Sequence, residues 1–158
     1  MRTGLAVTLL ALVAVCFAGS EAASAKPQSF ARWVVQEGSA EDAIIDPMTD
    51  RCVKRFPRND AKLGACVVEG LLAVRPALVA RWERGVGTIS RGQTEACKHA
   101  IHAYWLAARK NIKATTLYFE SHRHAGSTRI QAELNSQPYT TLESQKDEAK
   151  SHAVAVCG

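Results

Sequence analysis

Cysteine and histidine are the residues of this chain best suited to chemistry. Past the first fifty residues stand Cys52, Cys66, Cys97 and Cys157. Their separations of 14, 31 and 60 residues contain no C-x2-C knuckle, so the spacing disfavours structural zinc. An even number of cysteines predicts two disulfides in an oxidising compartment and leaves no free thiol as a nucleophile. Glu95, His99 and His102 lie four and three apart, a spacing that lets one helix present them to a metal. On the helical wheel His99 points away from the apolar stripe, so both histidines also read as surface residues. Cys97-Lys98-His99 lacks the first cysteine of a covalent haem motif.

Two further groups suit binding. His122-Arg123-His124 follows Glu120 at a helix end, where cationic side chains favour the negative end of the helix dipole. The same trio on a loop held by rigid helices is a candidate binding surface. Arg81, Trp82, Arg84 and Arg91 surround the Gly85–Thr94 segment and form a second candidate, because tryptophan and arginine dominate interface hot spots. Trp82 equally suits core packing. Gly85-Val86-Gly87 with Gly92 follows a helix rather than a strand, which excludes a dinucleotide loop. There is no G-x-S-x-G or H-E-x-x-H run, and no nucleophile, base and orienter can be named.

The elements that position these residues read as helices throughout. Ser29 caps a short helix over 30–37 ended by Gly38, and Ser39-Ala40-Glu41-Asp42 resembles a capping box that starts another. Pro47 interrupts, and residues 50–56 continue helically until Pro57. Asn59 or Asp60 caps a first long helix with Leu63, Val67, Gly70, Val74 and Leu78 at helical spacing. Pro76 is expected to kink it or split it at Arg75, and Gly85 and Gly87 to end it near Arg84. Gly64 and Gly70 within it imply close approach of another helix. Thr94 caps a helix over about 95–122. Cys97, Ile101, Tyr104, Ala108, Ile112, Thr115 and Phe119 form one stripe, with Leu106 and Leu117 nearly opposite. A helix apolar on two sides is expected at the centre of its bundle. Residues 121–138 read as a connection with a helical turn near 129–134. A last helix runs from Tyr139 or Thr140 to Val156, with Leu142, Ala149, Ala153 and Val156 inward and Lys146 among the solvent-facing residues.

Helix direction predicts the disulfides. Up-down-up packing of the three long helices puts Cys97 and Cys157 at one end. Cys66 then lies at the other, beside the segment holding Cys52. Of the three pairings four cysteines allow, Cys52–Cys66 with Cys97–Cys157 alone joins ends that pack together.

Residues 1–25 read as a signal peptide. Arg2 precedes a 14-residue run from Leu5 to Ala18, apolar apart from Thr8 and too short for a span. Ala23-Ser24-Ala25 offers the cleavage site, and Cys16 belongs to the apolar run. No later run reads as long enough to span, so no stable membrane anchor is expected after cleavage.

Residues 26–158 are read as a single helical domain of ordinary size. The net charge of +5 is uneven: 0 over residues 26–60, +2 over 61–90, +4 over 91–125 and −1 over 126–158. A cationic centre suits an acidic partner or a solvated face, and an exported chain of moderate charge with no nucleic-acid module argues against DNA or RNA.

The expected fold is therefore all-α, a small disulfide-stabilised helical bundle of three long helices plus short N-terminal helices. The expected function is a periplasmic or secreted, non-enzymatic protein without a cofactor that binds another protein, in the manner of an inhibitor or immunity protein. A helical bundle binding a metal, haem or an anionic ligand is the alternative, although few inward polar residues are apparent. A secreted hydrolase ranks third.

Overall fold

Ser29 Oγ accepts from the Arg32 amide at 3.3 Å, Asn59 Oδ1 from the Lys62 amide at 2.9 Å and Thr94 Oγ1 from the Cys97 amide at 3.3 Å. Each satisfies an amide that the first turn of a helix leaves without a partner. In the computed structural model, which describes residues 28–158, these caps start α1 (Phe30–Arg55), α2 (Asp60–Ile89) and α3 (Glu95–Ser121). α4 (Ser127–Leu134) and α5 (Tyr139–Cys157) complete the described chain. The expected signal segment and its cleavage site after Ala25 lie outside the described residues.

The fold is an all-α, disulfide-stabilised bundle, with four long helices rather than three. The three short N-terminal pieces expected from breaks at Gly38 and Pro47 are one helix. Phe30, Trp33, Met48 and Cys52 are buried along one face of α1, so core packing continues across both helix-breaking residues and outweighs their low propensity. Pro47 is exposed, as is Ala43 one turn before it, so the carbonyl that the proline cannot bond meets water. α2 likewise runs through the exposed Pro76 without a split. It also continues past Gly85 and Gly87, because Ile89 is buried in the core. Gly85 serves a close approach there: a Cβ at that position would come within 2.8 Å of the Trp33 ring. The chain turns only at Gly92, in the left-handed region at φ 74°.

The long helices run up, down, up and down in the order α1, α2, α3, α5, and neighbours in that order pack together, with α5 returning to α1. Two apolar clusters fill the ends. Phe30, Trp33, Ile89, Cys97, Ile101, Tyr104 and Ala153 make the upper one. Val68, Tyr118, Phe119 and Ile130 make the lower one, with α4 laid across that end. Gly64 of α2 faces the backbone of Ala125 to Ser127, the connection into α4 rather than the face of another helix that its glycine implied. Asp60 accepts from the Ser127 hydroxyl, and from Thr128 N at 3.0 Å and Thr128 Oγ1 at 2.9 Å. The first residue of α2 thus caps α4, whose own N-cap, Gly126, has no side chain to do so. Cys52–Cys66 and Cys97–Cys157 are bonded as the helix directions required, with Cα separations of 5.7 and 5.0 Å. Disulfides of this kind fit an oxidising compartment.

Three further expectations are corrected. Leu106 and Leu117 are 52% and 56% exposed, so α3 is covered on its main stripe only and is not central. Val156 faces outward, and Cys157 packs inward in its place. α2 also contains an 18-residue window of mean hydropathy 1.7, long and apolar enough by length and composition to cross a membrane. The expectation of no such run after the leader underrated how little Glu69 and Arg75 interrupt it.

Candidate functional site

Between the two apolar clusters the bundle has a polar waist. Each long helix sends a polar side chain there: Glu41 from α1, Arg75 from α2, Tyr104 and Asn111 from α3, and Lys146 from α5. Together with Leu71, Leu78, Trp82, Ile112 and Phe119 they line a cleft of about 290 Å³. That is near the lower end of small-ligand sites, which pair apolar walls with a few convergent polar groups.

Arg75 is the centre of the waist. Its Nη1 donates to Thr115 Oγ1 at 2.8 Å, Thr116 Oγ1 at 2.7 Å and the Ile112 carbonyl at 3.2 Å. Its guanidinium lies 5.2 Å from the Phe119 ring centroid, a cation–π contact. Nε and Nη2 donate to no protein acceptor among the described residues. Burial pulls its pKa below the ordinary value, and Glu41 opposes that shift. Arginine nonetheless stays charged at any working pH.

Burial first, then Asp42, pushes the Glu41 carboxyl above the usual range, while Lys146, the Trp82 indole and Arg75 pull it back. Burial, followed by the charge of Glu41, raises the Tyr104 phenol, which stays protonated. Across the rim, Asn111 Nδ2 donates to Glu143 at 2.6 Å, and Lys146 pairs with the same carboxylate. This ties α3 to α5 beside the opening.

The residues singled out from sequence are distributed otherwise. Arg81, Arg84 and Arg91 come together around a shallow recess with Trp33, Gly85 and Glu37. Arg81 Nε is bound there to Glu37 Oε2 at 2.7 Å. Trp82 turns away from them into the central cleft, against Trp33 at 5.4 Å, Tyr104 at 6.0 Å and Trp105 at 6.4 Å between ring centroids. The His122–His124 trio does not converge. His122 stacks on Tyr118 at 4.3 Å and contacts the Tyr118 carbonyl through Nδ1 at 3.0 Å. Arg123 lines a groove between α2 and α3, and His124 is exposed. The trio lies at the C-terminal end of α3 and the arginine recess between α1 and α2 toward the other end of the bundle, so the two do not form one site. His99 and His102 are exposed, and among the described residues no three His, Cys, Asp or Glu side chains gather as a metal cluster.

Sequence reasoning missed the waist. Glu41 read as part of a capping box, Lys146 as solvent-facing and Arg75 only as the neighbour of a proline. The usable signal was Arg75 itself, one of two charges in the apolar stretch from Leu63 to Ala80. No family model, no curated protein and no solved structure matches this chain.

Proposed function

We propose that this is an exported, non-enzymatic binding protein whose bundle holds a small amphipathic organic anion in the waist cleft. The observation that carries the reading is Arg75, a partly buried guanidinium whose Nε and Nη2 face no protein acceptor among the described residues while Nη1 is fixed by three. A carboxylate or phosphate meets two donors of such a fork side by side. Lys146 also lines the cleft but is paired with Glu143, and Glu41 faces the same space, so the anion's charge falls to Arg75, while Leu71, Leu78 and Phe119 supply walls for an apolar body. The Thr115 hydroxyl is engaged by Arg75 and by the backbone of Asn111 and Ile112, which argues for recognition rather than nucleophilic chemistry. The signal segment and the disulfides support a periplasmic or secreted location. A second reading, an inhibitor or immunity-type protein that docks an acidic partner protein, is favoured by the gathering of Arg81, Arg84 and Arg91.

The test is mass spectrometry of small molecules released from the oxidised protein purified from its native compartment, with calorimetric titration of short- and medium-chain monocarboxylates. Stoichiometric recovery of an organic anion, and binding that Arg75→Met weakens by about a hundredfold, are expected. An empty protein that no carboxylate binds, or equal affinity in the Arg75→Met protein, would sink the reading. So would a bound metal or chromophore.

A further inference from the structure

The outer side of α2 and α3 is apolar and only partly covered: Leu72, Val79, Ala80 and Ile112 are half-buried and Leu106 is exposed. Only 17% of the apolar α2 window is buried within the bundle. Leu71, Leu78 and Trp82 face the cleft, whereas Leu72, Pro76 and Ala80 line a groove on the other side, against Ile112 and Thr116 of α3. A second recess, between Val79 and Leu106, continues this groove through the shared residues Val79 and Ile112. The register is fixed. Arg75 bonds Ile112 and Thr116, and Arg109 Nε lies 3.9 Å from Glu83 about two turns further along α2. From Leu106 to Glu120 the groove is about 21 Å long, close to four helical turns.

A straight groove between two antiparallel helices, with an apolar floor, has the shape that receives a third helix. Its rim is cationic: Arg109, Lys110, Lys113 and Arg123 outnumber Glu83 and Glu120. A second copy of this chain would bring its own cationic rim against this one, and a flat bilayer surface would not reach the floor. We propose that the outer α2–α3 groove binds an acidic amphipathic helix of a partner protein. This surface adjoins the waist cleft, sharing Arg75, Val79 and Ile112 with it, and lies apart from the arginine recess; the peptide preference tests the groove and the carboxylate titration tests the cleft.

The experiment uses fluorescence anisotropy with the oxidised protein and two labelled, stapled 16-residue helical peptides. Both carry the same leucine stripe, one flanked by glutamate and the other by lysine. Co-sedimentation with phosphatidylglycerol vesicles and sedimentation velocity accompany it. The glutamate peptide is expected to bind at least about tenfold more tightly than the lysine peptide. Lys110→Glu/Lys113→Glu, at exposed positions and checked for folding by circular dichroism, is expected to reverse that preference. Leu106→Asp should weaken the glutamate peptide about tenfold. Failure of the glutamate peptide to bind, equal affinity for both peptides, or an unchanged preference in the charge-reversed protein overturns the proposal. Dimerisation or vesicle binding that displaces the glutamate peptide overturns it too.

Discussion

Nη1 of Arg75 meets three acceptors on α3, and the guanidinium plane covers Phe119. Neither lysine nor methionine does both, since lysine offers a compact charge without a planar fork. Arg75→Met leaves the Thr115 and Thr116 hydroxyls without this donor and is expected to destabilise the protein by about 1–3 kcal/mol in urea denaturation. Arg75→Lys should recover only part of that loss. Glu41 gives the waist a pH dependence. Its folded pKa lies above the ordinary value of 4.5, so between the two the folded state binds more protons than the unfolded one. Stability therefore falls as pH rises through that interval, and the penalty is full above it. Glu41→Gln is expected to be more stable than the wild type at pH 7 and to lose this component of the slope when denaturation is followed from pH 4 to pH 8. Some of this chemistry was readable one residue at a time. Thr94 caps α3 because a hydroxyl before a helical run has a local task. Glu41 and Lys146 were not readable, since what surrounds them comes from three other helices.

At the scale of the element, glycine shows how a helix can be weak in isolation and required in place. Gly64 lies against the backbone of Ala125–Ser127, and an added methyl would overlap the Ala125 carbonyl oxygen, which has nowhere to move. Gly70 faces the Met48 side chain, whose unbranched thioether can shift. Gly64→Ala is thus expected to cost about 3 kcal/mol and Gly70→Ala about 1 kcal/mol or less. Thermal unfolding of the two proteins checks the ordering. The same contest between local preference and packing explains which elements could be read in advance. The start of α3 fell where expected because cap and periodicity agreed there, and that of α5 because Pro138 marks it without a capping side chain. α1 was read as three pieces because Gly38 and Pro47 each speak for a break locally, whereas Phe30, Trp33, Met48 and Cys52 hold one face across both. The end of α2 was misplaced for a related reason. Gly85 admits the Trp33 ring and does not stop the helix.

For the molecule as a whole, the disulfides close its two ends. Cys52–Cys66 joins residues 14 apart in sequence and Cys97–Cys157 joins residues 60 apart. By loop-closure entropy they contribute about 3 and about 4 kcal/mol. Replacing Cys97 and Cys157 together by alanine is therefore expected to cost more than replacing Cys52 and Cys66, as measured by denaturant midpoints at equal m-values. This pairing was within reach of sequence because it needs only helix directions and short connections. The number of long helices was not, since it turned on whether α1 breaks. The two bridges also decide how the protein behaves under mechanical load. If the chain is pulled between Gln28 and Gly158, tension crosses each disulfide and bypasses the segments they enclose, which hold more than half of the described residues. Only the remainder can lengthen, so α4 and nearly all of α5 would stay slack in a stretched but oxidised molecule.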